Sequence, residues 1–163
     1  MGKIILLCGM ACSGKSTYAE SIRAREQAVV LSCDELMLRL FDEYMGDAFA
    51  PAHEKVCAYL EELALRIVAA GANVILDFGF WKRADRGAVR ARLRAKGVGT
   101  ELHYLPVSPN RWERNVRSRN EDYAAGKPGV YFMDENMIAL FPARFEPPSP
   151  EEVDVWVEEP KDD

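Results

Sequence analysis

Near its start the chain carries an unbroken apolar run, Lys3–Cys8, whose residues Ile4-Ile-Leu-Leu-Cys8 leave no position to turn toward water. A strand written this way is buried on both faces, as a central strand of a parallel sheet is. Ala28–Leu31, Asn73–Leu76 and Glu101–Leu105 are shorter apolar runs and predict three more strands. Val153, Val155 and Val157 alternate with Asp154 and Trp156, the period-two pattern of a half-exposed strand at a sheet edge. Helical periods lie between these runs. Val56, Leu60, Leu63 and Ile67 recur at steps of three and four and give one apolar face for packing on a sheet. Ser108 at the N-cap and Pro109 at the first helical position start another helix, with Trp112 and Val116 turned inward. Strands alternating with helices predict an α/β fold with a parallel sheet of about five strands and helices on both faces. The one Pro-rich passage, Phe145–Pro150, is too short to separate domains, so residues 1–163 read as one domain.

Composition narrows the class. The 163 residues are 48% apolar and 29% charged with a net charge of −5, which excludes a disordered chain and a disulfide scaffold. The acidic balance argues against a general nucleic-acid binder. No apolar run approaches the roughly 18 residues that span a bilayer. A lysine before Ile4–Cys8 has the superficial look of a signal peptide, but the stretch runs straight into the motif described next, and a cytoplasmic protein is expected. Gly2 is no myristoylation signal, because Leu6 stands where serine or threonine is wanted. The four cysteines (Cys8, Cys12, Cys33, Cys57) form no CxxC pair, and reduced, buried thiols are expected.

The strongest chemical signal is Gly9-Met10-Ala11-Cys12-Ser13-Gly14-Lys15-Ser16, which fits GxxxxGK[ST]. Such a loop aims backbone N–H groups at a nucleotide's phosphates, and its glycines permit conformations that a Cβ forbids. Lys15 is expected at the β- and γ-phosphates and the Ser16 hydroxyl on Mg²⁺, with Thr17 continuing the site into a helix whose positive end favours the same anion. ATP and Mg²⁺ are therefore the expected ligands. Val74-Ile-Leu-Asp77 is followed by Phe78 instead of the second acid of a motor ATPase, and no Asn-Lys pair reads a guanine base. Phosphoryl transfer to a second substrate remains, and it needs an acceptor-side base, a metal-side acid and mobile cations.

Asp34 follows the second strand, where an open parallel sheet binds its ligands. It is either the base or part of a helix start, since Ser32-x-x-Glu35 is also a capping box. Asp77 ends the third strand as a metal-side acid or a cap. Arg114, Arg117 and Arg119 lie after the fourth strand, where small kinases carry a lid, here expected around 108–130. A solvated helix face is the alternative for them. Gly126 and Gly129 supply hinge positions. Arg83, Arg86, Arg90 and Arg94 form a basic stripe that either tracks phosphates or faces solvent. Phe78, Phe80 and Trp81 are acceptor-pocket walls or core. His53 and His103 have no motif partner and receive no role. An acidic tail occupies 158–163.

With these residues the chain resembles the compact P-loop kinases that include chloramphenicol phosphotransferase, zeta-toxin and polynucleotide 5′-kinases. The resemblance implies a three-layer P-loop NTPase fold with strand order 2-3-1-4-5. It implies Asp34 as base and an arginine lid over Glu113-Arg114-x-x-Arg117-x-Arg119, with Ser118 where a glycine is common. Phe145, Pro147 and Pro148 are similar to the stretch that packs on the nucleotide base. The expected activity is Mg²⁺-dependent transfer of the ATP γ-phosphoryl group to a hydroxyl of a small molecule. A 5′-hydroxyl nucleic-acid end is the alternative acceptor, and a nucleotide-binding protein without transfer is the alternative class.

Overall fold

All five residues of β1 (Ile4–Cys8) are buried completely. Each large apolar side chain sealed this way contributes about 1.5–3 kcal/mol. In this computed structural model, which describes residues 2–41 and 45–160, β1 pairs in parallel with β3 (Asn73–Gly79) and β4 (Thr100–Tyr104). β2 (Ala28–Ser32) lies outside β3, and β5 (Val155–Trp156) lies outside β4. The order is β2-β3-β1-β4-β5, the fold class and topology expected. The short β5 is at an edge, with Trp156 52% exposed. The acidic tail expected over 158–163 is described as far as Pro160; 161–163 lie outside the described residues.

Alternation along β1 divides the core. Ile4, Leu6 and Cys8 join Ala64 and Val68 of α3 (Phe49–Ala69) and Val89 and Leu93 of α4 (Arg83–Ala95). Ile5 and Leu7 turn the other way, onto Ala19 and Ile22 of α1 (Lys15–Arg23). α2 (Cys33–Phe41) packs on α3 through Cys33, Met37, Val56 and Leu60. α5 (Pro109–Ala124) and α6 (Glu135–Arg144) close over the end of β1, where Trp112, Val116 and Met133 meet Met10, Ala11 and Cys12. Ser108 occupies the N-cap position of α5, but its hydroxyl donates to the Glu159 carboxylate at 2.9 Å instead of capping the helix. Among the described residues no helix is long and apolar enough to cross a membrane.

Two expectations are corrected here. Cys33 and Cys57 are joined as a disulfide between α2 and α3, with Cα atoms 5.8 Å apart; only Cys8 and Cys12 are free. The pair is 24 residues apart in sequence, and helix packing alone brings it together. Burial pushes the free Cys8 thiol up to about 11, so it stays protonated. Of the stripe on α4, Arg83 and Arg94 are exposed, but Arg86 and Arg90 are neither solvated nor free to track phosphates. Arg86 is 1% exposed and donates to the carbonyls of Phe80 (3.0 Å), Trp81 (3.2 Å) and Glu146 (2.9 Å) and to the Glu152 carboxylate (3.0 Å). Arg90 donates to the Glu152 carbonyl at 2.7 Å and to Asp154 at 2.8 Å. The segment from Glu146 to Asp154 is thus tied to α4 by the charges that looked free.

That tie sets an acid limit on the fold. The Arg86 guanidinium holds the Glu152 carboxyl at about 2, below its ordinary 4.5. A lowered folded value stabilises the protein above pH 4.5, and the contribution drains away as pH falls toward 2. Glu152→Gln leaves the Arg86 charge buried without its partner, and is expected to cost about 3 kcal/mol at neutral pH. Urea denaturation as a function of pH checks this: the variant should also lose the steep decline of the wild-type curve below pH 4.5.

Candidate active site

After β1 the chain turns through Gly9–Gly14 into α1 at Lys15. Gly14 has φ 92°, a left-handed conformation costly for any residue with a Cβ. A Cβ on Gly9 would lie 2.5 Å from Ser13 Oγ and 3.1 Å from the Leu105 carbonyl oxygen. Three side chains grip the loop from outside. Trp81 Nε1 donates to the Gly9 carbonyl (3.1 Å), Trp112 Nε1 to Ala11 (2.8 Å) and Asn115 Nδ2 to Cys12 (2.8 Å). Inside the cradle, Ser13 Oγ is buried with no hydrogen-bond partner among the described residues. An orphaned hydroxyl above a helix N-terminus fits a phosphate oxygen.

Lys15 is half-buried and donates from Nζ to the Met10 carbonyl at 2.6 Å. Burial lowers its pKa, against the pull of Asp77 and then Asp34. Ser16 Oγ donates to Asp77 Oδ2 at 2.7 Å, across 61 residues of sequence. Asp77 is 7% exposed; burial pushes its carboxyl up, with Lys15 and the Ser16 hydroxyl opposing. β1 and β3 slip register between Leu6 and Cys8, which pair with Leu76 and Gly79, so the irregularity falls at Asp77–Phe78. Such a slip re-aims a side chain at the end of a strand. A hydroxyl and a carboxylate oxygen are hard donors, and they fit Mg²⁺.

β2 pairs Ser32 with Asp77, which places Asp34 just beyond Asp77 at the sheet's carboxyl end. Asp34 lies in the first turn of α2 with its side chain 61% exposed. The capping alternative loses its need for Asp34, because Ser32 Oγ accepts from the Glu35 N–H at 3.3 Å. Glu35 does not reach back to complete the box; it pairs with Arg39 at 2.8 Å. The Asp34 charge acts on Lys15, Asp77 and Tyr131, so all four share one field.

The three arginines expected in a lid separate. Arg119 is half-buried and donates from Nε to the Tyr131 carbonyl (3.2 Å), with Nη1 3.5 Å from Cys12 Sγ of the loop. Arg117, two residues from both Asn115 and Arg119, projects from the other side of α5. It lines a groove of about 530 Å³ with Trp112, Val116, Asn120 and Ile138. Arg114 is exposed. Phe145 is occupied in the core, stacked on Tyr104 (6.3 Å between centroids) and edge-on to Trp81 (6.4 Å). Pro148 is buried and Pro147 exposed. Trp81, which touches both Phe145 and the Gly9 carbonyl, is the link between that segment and the loop.

Two residues without a sequence motif stand beside Asp34. His53 Nε2 is 4.0 Å from Asp34 Oδ1, and its ring stacks on Phe49 at 5.5 Å. Tyr131 meets Phe49 edge-on at 6.0 Å, and its hydroxyl is buried with no partner among the described residues. Burial pushes the Tyr131 hydroxyl up, Asp34 adds to the rise, and Arg119 opposes it.

A parallel 2-3-1-4-5 sheet with a phosphate-binding loop after its first strand, and an acid hydrogen-bonded to the loop serine, defines the P-loop kinase fold. Residues 4–148 match the family model described as AAA domain, and the chain belongs to that family. No curated protein matches it. Among solved structures it is similar to the Mycobacterium tuberculosis APS kinase CysC in complex with AMPPNP and APS. That match has a TM-score of 0.67 and 18% identity, over 96% of this chain and 87% of that one. It is similar to Chaetomium thermophilum Kti12 in complex with ADP-AlF3, with a TM-score of 0.70 and 16% identity over 94% and 88% of the two chains. A gluconokinase from Sinorhizobium meliloti 1021 matches with a TM-score of 0.62 and 18% identity over 96% and 81%.

Proposed function

We propose that the protein is a Mg²⁺-dependent kinase that moves the γ-phosphoryl group of ATP to a hydroxyl of a small molecule. The observation that carries this is the convergence of Lys15, Asp77 and Asp34 in one field at the carboxyl ends of β1, β3 and β2. Two relatives of the fold were captured with AMPPNP or ADP-AlF3, which supports a nucleotide at the Gly9–Thr17 loop. When bound, Mg²⁺ would be held by Ser16 and Asp77 and would neutralise charge on the transferring phosphates. Asp34 accepts the proton that the acceptor hydroxyl sheds. Lys15 leaves the Met10 carbonyl for the phosphates, and Arg119 covers them from the lid. The Tyr131 hydroxyl and His53 offer polar contacts to the acceptor, against a wall formed by Phe49.

A nucleic-acid end is the weaker reading, because Arg86 and Arg90 are occupied by the Glu146–Asp154 segment. The test is radiolabel transfer from γ-labelled ATP across a panel of hydroxylated metabolites, antibiotics and 5′-hydroxyl oligonucleotides. Acceptor-dependent ADP release with a small molecule is expected. Labelling of oligonucleotides alone would install the alternative, and nucleotide binding without any acceptor would leave a binding protein. Within this reading, Arg119→Ala should lower kcat by about 10²-fold, the lower end for one preorganised donor, while Arg117→Ala leaves it nearly unchanged. Steady-state kinetics of the two variants side by side decides which face of α5 serves the phosphates.

A further inference from the structure

Beside the site, two sulfurs and an imidazole meet in a cluster of which the proposed transfer uses only His53, as a polar contact to the acceptor. Cys33 stands at the first position of α2, and His53 and Cys57 lie one turn apart on α3. One ligand atom from each of the three falls within 4.8 Å of the other two. His53 ring nitrogens approach Cys57 Sγ at 3.7 and 3.8 Å. We infer that, with the Cys33–Cys57 disulfide reduced, Cys33, His53 and Cys57 form a site for a thiophilic divalent cation of the Zn²⁺ type.

The geometry suits that cation. Zn²⁺ takes sulfur at about 2.3 Å and imidazole nitrogen at about 2.0–2.1 Å, which places neighbouring ligand atoms about 3.3–3.8 Å apart in a tetrahedron. With Cα atoms 5.8 Å apart, rotation about χ1 lets the two sulfurs either bond to each other or flank an ion. The backbone need not move. Asp34 Oδ1 lies 4.0 Å from His53 Nε2 but outside the three-residue cluster, which leaves the fourth position to water. Two sulfurs and an imidazole select Zn²⁺ over Mg²⁺, so the pair Ser16–Asp77 and this cluster separate two kinds of metal by ligand chemistry.

The balance is simple. A phosphine reductant gives two electrons to the disulfide and leaves as phosphine oxide with oxygen from water, whose two protons make two thiols. Cation binding then releases both protons and forms two metal–sulfur bonds. The inference does not depend on the kinase reading, because its readout is metal coordination and not activity.

Co²⁺ is the probe, added to the full chain kept reduced by a phosphine under nitrogen. One equivalent is expected to give sulfur-to-cobalt charge-transfer absorption in the near ultraviolet and the visible bands of a tetrahedral ion, both erased by added Zn²⁺. Cys33→Ser and Cys57→Ser should each lose the charge-transfer band in proportion, and His53→Ala should weaken binding about 10–100-fold. Cys12→Ser serves as the control, and thermal melts verify that each variant is folded. Absence of the charge-transfer band in the reduced wild type overturns the inference. Its persistence in Cys33→Ser/Cys57→Ser, or its loss in Cys12→Ser, overturns it as well.

Discussion

Lys15→Met is expected to reduce phosphoryl transfer by about 10²–10³-fold, or 3–4 kcal/mol of transition-state stabilisation, without lowering the melting temperature. The two halves of this result have one cause. Burial lowers the Lys15 pKa, which means the fold carries the ammonium at a cost that Asp77 and Asp34 only offset. A group whose folded pKa lies below its unfolded value of 10.5 detracts from stability below that pH, most fully where the ammonium is charged in both states, and the penalty fades as pH rises through 10.5. Methionine keeps the apolar stem and removes the charge, so the variant should melt at the same temperature or higher. The charge itself is what the β- and γ-phosphates need, and no other ammonium stands in the loop. Differential scanning calorimetry paired with transfer kinetics reads both halves. A variant that kept wild-type transfer would detach the loop from catalysis. One that lost stability together with activity would make Lys15 a structural residue.

The same cost recurs at Asp77, whose carboxyl burial also pushes toward the neutral form. Two neighbouring groups of opposite sign, each held against its preferred charge state, mark a place shaped for a ligand instead of for the fold. That feature is invisible in the motif alone. GxxxxGK[ST] is contiguous, so its loop could be recognised without knowing any tertiary contact. The strands were equally legible, because a run such as Ile4–Cys8 is dictated by burial on both faces. What failed were contacts across long separations. The stripe on α4 looked solvated because its partner Glu152 is 66 residues from Arg86, and the Cys33–Cys57 bridge depended on α2 lying against α3. Arg119 is an instructive middle case. It lies three residues after Val116 and seven after Trp112, on the side of α5 that the apolar pattern already turned inward. The signal separating it from Arg117 was therefore present in the sequence. His53 and Tyr131 had no such signal, since their approach to Asp34 arises only where α3 and the segment after α5 reach the end of β2.

Asp34→Asn is the substitution on which the transfer reading turns. An acceptor hydroxyl must lose its proton as the phosphoryl group arrives, and a carboxylate within about 3 Å takes it. Asparagine has the same shape and caps a helix about as well as aspartate, and the cap of α2 is in any case made by Ser32. Its side chain is exposed enough that no core contact is lost. Removal of the charge relieves Asp77 of a like-charged neighbour and deprives Lys15 of one of its two carboxylate supports. The electrostatic background of the loop thus changes little in net terms, and ADP affinity should stay near that of the wild type. Transfer, by contrast, should fall by roughly 10²–10⁴-fold. Single-turnover measurements beside ADP titrations separate the outcomes, because a lost base slows transfer and leaves nucleotide binding intact. If Asp34→Asn turned over normally, the base would have to be sought elsewhere. Glu35 is committed to Arg39, and Asp77 to Ser16, so no second carboxylate of the described site is placed to inherit the role without rearrangement.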